Sequence, residues 1–195
     1  MSFSRLAKHP RRCALTALAA GGALVLLLSG CTGGGEPSPT PSASTDAAEP
    51  IFATDEEALA AAVAAYTAFE ELSQTIAAEG GIEPERIERS VTSEYMPGLL
   101  EEFAQYQELG LRITGSASLD SFRLAEHSGG ADRVSVTLYV CRDVSGVRVI
   151  DAAGVDVTPA DRQLRTPLVA DLVSKDGADN LLVNGVELWP GDDFC

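Results

Sequence analysis

Positive charge is scarce in this chain. Fourteen Lys and Arg face 29 Asp and Glu, a formal net charge of −15, and lysine occurs only at Lys8 and Lys175. Nucleic acids are gripped by Lys and Arg that neutralise phosphates, so no nucleic-acid partner is expected. Long apolar runs are lacking too. The run Ala14–Leu28 has 15 residues and contains Gly21 and Gly22, short of the roughly 20 apolar residues that cross a ~30 Å hydrocarbon core. Histidine is limited to His9 and His127, which leaves little for a His-centred triad or metal site. The patterns G-x-S-x-G, H-E-x-x-H, C-x-x-C and G-x-G-x-x-G and a phosphate-binding loop are absent. No cofactor, metal or catalytic residue is implied, and a reaction cannot be read from motifs.

What is present begins with an address. Arg5, Lys8, Arg11 and Arg12 precede the short apolar run, the order of a secretory signal. "LSGC", Leu28–Cys31, resembles the bacterial lipobox: an aliphatic residue, two small ones and a cysteine. The resemblance implies a signal peptide over 1–30, diacylglycerol on the Cys31 thiol and cleavage before it. A thiol is the strongest nucleophile available there. The expected location is the extracytoplasmic face of a cell membrane, with the membrane as partner through the lipid. The signal takes four basic residues and no acidic one, leaving 10 basic against 29 acidic, a net −19. Such a body is repelled by anionic headgroups.

Residues 31–53 are rich in Gly, Ser, Pro, Thr and Ala. They bury too little apolar surface to order themselves and read as a tether reaching roughly 25 Å when flexible. Of four cysteines, Cys13 leaves with the signal and Cys31 takes lipid, so Cys141 and Cys195 remain. In an oxidising compartment an even pair reads as a disulfide. A metal site or two free thiols are the alternatives.

A single domain is expected over 54–195. Thr54 and Glu57 fit a capping box, and Leu59, Val63, Tyr66, Phe69, Leu72 and Ile76 form an apolar stripe ended by Gly80-Gly81. "EPERIERSV" reads as a short helix. "SEYMPGLLEEFAQYQELG" reads as a third, with Tyr95, Leu99, Phe103 and Tyr106 on one face. From Leu111 the period becomes 2. Strands are expected around Ser116–Glu126, in "RVSVTLYVC", in "VRVID", in "RTPLVADLVS" with Pro167 at an edge or bulge, and in "NLLVNGVELW". "HSGGAD" and Asp176-Gly177 read as turns. Asn184-Gly185 is a hairpin signal, but its short flanking runs favour a bulge.

Helices followed by strands imply an α+β domain with N-terminal helices packed on an antiparallel sheet. That order resembles the nuclear-transport-factor-2-like fold, whose curved sheet forms a cone. "YVCRDVSGVRVID", "DRQLRTPLV" and the terminal "VELWPGDDFC" are similar to small envelope lipoproteins of high-GC Gram-positive bacteria. The resemblance implies a bridge between Cys141 and Cys195 and a function largely unassigned.

Enzymes of that fold place a carboxylate base with tyrosine or acid donors, or a His-Asp pair, in the cone. Tyr66, Tyr106, Asp120, Tyr139 and Trp189 are the pocket-lining candidates, although Tyr66 and Tyr106 also suit a core. His127 is expected to be an exposed turn residue. The favoured function is a non-enzymatic module that binds a small apolar ligand or a protein. An isomerase- or dehydratase-like enzyme, or an envelope assembly protein, is the alternative.

Overall fold

The computed structural model describes residues 50–174 and 179–195. The expected signal, Cys31 and most of the tether lie outside the described residues, as does the Asp176-Gly177 turn.

Helix α1 (Asp55–Ala78) starts where expected. Thr54 Oγ1 accepts from Glu57 N, and Glu57 Oε2 accepts from Ala53 N, one residue before the cap. Just upstream, Phe52 is buried. The folded body therefore reaches back past Thr54, because a phenyl ring beside the helix start has apolar surface to hide. The buried face of α1 differs from the expected stripe. Ala58 and Ala62 are fully buried, while Leu59 and Val63 only flank the core. Small side chains let the helix axis approach the sheet closely, and the larger ones fill the sides.

Gly80 and Gly81 take positive φ and stop the helix. At Gly81 a Cβ would stand 2.2 Å from the Phe103 carbonyl oxygen, so only glycine lets this turn touch the next helix. A 3-10 helix, Pro84–Ser90, follows with Ile87 buried. Helix α2 (Met96–Leu109) ends at Gly110 in the left-handed conformation.

Six strands follow among the described residues: β1 (Arg112–Thr114), β2 (Ser118–Gly129), β3 (Val134–Asp143), β4 (Arg148–Ile150), β5 (Arg165–Ser174) and β6 (Leu181–Leu188). They form a four-stranded sheet in the order β2-β3-β5-β6 and a two-stranded one, β1-β4, with antiparallel pairing throughout. The architecture is α+β with an antiparallel, unclosed sheet. Val134, Val136, Leu138 and Val140 of β3 face the core. Strand β2 runs three residues further than expected, so His127 belongs to a strand and not a turn, opposite Val136. It is half-buried, with Nδ1 3.3 Å from Asp55 Oδ1.

Two details of β5 and β6 depend on register. Pro167 sits in a central strand, opposite Cys141, instead of at an edge. Its carbonyl accepts from Trp189 N at 3.0 Å. In an antiparallel strand a residue's N–H and C=O point to the same neighbour, so the donor that proline lacks faces β6 where that strand ends. In β6, Val183 pairs with Leu172 and Gly185 with Asp171, leaving Asn184 as an extra residue. Asn184-Gly185 is thus a bulge and not a hairpin. Thr92 Oγ1 donates to Asn184 Oδ1 at 2.9 Å.

Candidate functional site

Between α1, α2 and the core face of the sheet lies a pocket of about 410 Å³, within the ~300–1,000 Å³ typical of small-molecule sites. Its apolar wall includes Phe69, Leu99, Phe103, Ile113, Val147 and Leu168. Its polar groups are Glu70, Ser73 and Gln74 on α1, Tyr95, Glu102 and Tyr106 near or on α2, Arg142 at the end of β3, and Arg162. A hollow beside Arg148, Asp156 and Leu164 is larger, about 500 Å³, but it is lined by Arg148 of β4 and by loop residues, none of them buried. Composition, not size, distinguishes the first pocket.

The charged centre is an ion pair. Arg142 Nε donates to Glu70 Oε1 at 2.7 Å, and Gln74 Nε2 donates to the same oxygen at 3.3 Å. Gln74 Oε1 in turn accepts from Ala117 N at 2.7 Å. The Glu70 side chain is 7% exposed and that of Arg142 37%, so the acid is buried and the base reaches the opening. The Ser73 hydroxyl is buried and has no hydrogen-bond partner among the described residues. Burial raises the Tyr66 phenol well above its ordinary pKa; the Glu70 charge adds to this and Arg142 opposes it. Tyr95 and Tyr106 are raised too, first by burial and next by Glu102.

Only two of the five pocket candidates meet here. Tyr66 and Tyr106 line the pocket. Asp120, Tyr139 and Trp189 lie on the opposite face of the sheet, because β3 turns Val140 inward and therefore Tyr139 and Cys141 outward. There Tyr139 packs on Trp189 with ring centroids 4.8 Å apart and on Phe194 at 5.9 Å. Cys141 is bonded to Cys195, with Cα atoms 5.6 Å apart. Arg165 Nη1 and Nη2 donate to Asp120 Oδ2 and Oδ1 at 2.7 and 2.5 Å, and Arg165 Nε donates to the Cys195 carbonyl at 2.9 Å. Asp120 is held below the usual carboxylate range chiefly by this hydrogen bond from Arg165. These residues clamp the C-terminal tail onto the outer sheet face and do not form a cavity.

Glu70 and Arg142 were missed from sequence, yet each leaves a trace. Glu70 stands four residues after Tyr66, on the buried side of α1. Arg142 continues the inward alternation of Val136, Leu138 and Val140. A charge that falls in phase with a core pattern is the signal.

No helix among the described residues is long and apolar enough to cross a membrane. The sequence matches no protein-family profile and no curated protein. Among solved structures, the chain is similar to the crystal structure of the intermembrane space region of chloroplast protein ARC6. The TM-score is 0.49 and the identity 9%, over 67% of this chain and 95% of that one. A likeness of that size carries nothing about activity.

Proposed function

We propose that the protein is a non-enzymatic, lipid-anchored binding module on the extracytoplasmic face of the membrane, and that its ligand is a small molecule with an apolar body. The signal-like N-terminus and "LSGC" support the anchor. The observation that carries the binding reading is the pocket of about 410 Å³ left unfilled between α1, α2 and the sheet. A core that close-packed these elements would leave no such space. Proton-transfer chemistry is less well supported, since the pocket's buried carboxylate is already engaged by Arg142 and Gln74. The reading also assigns the domain to the nuclear-transport-factor-2-like fold and the protein to the small envelope lipoproteins it resembles. The order of helices before an antiparallel sheet supports that assignment.

Two measurements test this. In a high-GC Gram-positive host, labelled fatty acid is expected to enter the wild-type chain but not Cys31→Ser, which should leave the membrane fraction. Retention of the variant and no label on the wild type overturn the anchor. Native mass spectrometry of the protein purified from that host should show a small-molecule adduct, lost when Val149→Trp fills the pocket. No adduct, or one indifferent to the substitution, overturns the ligand site.

A further inference from the structure

We infer that the pocket selects ligands bearing a carboxylate, seated on the terminal nitrogens of Arg142, with the apolar body of the ligand against Phe69, Leu99 and Phe103. This rests on the pocket being a ligand site, as proposed above, and adds the chemical class.

The polar groups of the pocket divide into engaged and unengaged ones. Glu70 Oε1 takes two donors, Glu70 Oε2 takes none among the described residues, and both ends of the Gln74 amide are used. Arg142 spends only Nε on Glu70; among the described residues Nη1 and Nη2 donate to no protein acceptor. The Ser73 hydroxyl, also in the lining, is buried and has no partner. Arg162 offers no free terminal pair, because its Nη2 donates to the carbonyls of Val144 and Val147 at 2.9 and 2.5 Å.

The pair of Arg142 nitrogens is the fork that a carboxylate engages with two parallel hydrogen bonds. Glu70 holds the guanidinium at Nε, beside the terminal pair, so it fixes the direction of the fork and acts as a positioning residue. A neutral hydroxyl offers one uncharged oxygen, so it cannot make the two parallel charge-assisted bonds. An ammonium group brings no acceptor at all. Glu102 lines the pocket too, but it is exposed, where solvent and salt screen its repulsion of an anion. The apolar wall supplies affinity and the Arg142 fork supplies the choice between end groups.

The test uses the full-length protein in detergent with three probes of one shape: 3-phenylpropionate, 3-phenylpropan-1-ol and 3-phenylpropylamine. Calorimetric titration runs against detergent-only blanks. The acid is expected to bind at least about tenfold more tightly than the alcohol, as a charge-assisted bidentate pair requires. Arg142→Gln should bring that ratio close to one, and Ser73→Ala should lower it severalfold. Should Arg142→Gln fail to fold, Arg142→Lys keeps a charge opposite Glu70 without the fork and should still lose most of the preference. Equal binding of acid and alcohol, or preference for the amine, overturns the inference and leaves the ligand site standing. Binding by none of the three also overturns it, and the Val149→Trp adduct measurement then decides the ligand site separately.

Discussion

Glu70 on α1 and Arg142 on β3 stand 72 residues apart in sequence and meet at 2.7 Å inside the pocket. Helix and sheet are joined there by a charge pair in place of apolar packing. Breaking a buried pair by removing one partner costs about 3–5 kcal/mol. Arg142 is 37% exposed on its side chain, which lowers the expectation to about 2 kcal/mol for Glu70→Ala. Replacing both residues by methionine should recover part of that loss. Urea unfolding of the single and double variants measures the difference, and a double variant weaker than Glu70→Ala contradicts the account.

The disulfide closes a loop with a sequence separation of 54, worth roughly 4 kcal/mol in the chain-entropy view. Cys195→Ser should therefore lower the thermal midpoint by roughly 10 °C. Trp189 is the single tryptophan and packs in the tail cluster with Tyr139 and Phe194. Its emission should shift to the red in the same variant while the helical signal persists. An unchanged midpoint and emission show that the aromatic contacts hold the tail without the bond.

Asp120 titrates below the usual carboxylate range because Arg165 donates to it. A depressed carboxylate stabilises the fold above its unfolded pKa, near 4, and that contribution is lost as pH falls through the lower folded value. Asp120→Asn should therefore lose less stability than the wild type between about pH 7 and about pH 3. Denaturant midpoints at the two pH values check it, and parallel losses in the two proteins refute it.

Tyr66 is shifted the other way. Its phenol is raised chiefly by burial, so the neutral form is favoured in the fold. This contribution is complete below the unfolded value of about 10 and disappears as pH rises through the folded one. Tyr66→Phe should flatten the alkaline loss of stability. In the wild type, one phenol should ionise only together with unfolding, seen in phenolate absorbance. A tyrosine titration completed in the folded protein speaks against it.

Element order was legible because its signals are local. The Thr54 cap, the Gly110 stop and the alternation of β3 each depend on a few neighbouring residues. The inner line of α1 was less so, since alanine at 58 and 62 gains its place from how near the sheet comes. The site was half legible. Tyr66 and Tyr106 carry helical periodicity that points inward, whereas Tyr139, Asp120 and Trp189 look equally suitable by chemistry and differ only in which face of the sheet they occupy. The side of β3 was readable from its alternation; the partners across the sheet were not. The Glu70–Arg142 pair depends on the docking of helix and strand, which no local window contains.

The bulge at Asn184 changes the parity of β6. Before it, odd-numbered Leu181 and Val183 point inward; after it, even-numbered Val186 joins the pocket wall. Uninterrupted pairing of this sequence would instead turn Glu187 inward and carry a third acid to the ligand's apolar side. Removing Asn184 outright restores regular pairing yet leaves Val186 opposite Ala170. At this position, then, losing a residue disturbs the binding surface less than keeping it in the wrong phase.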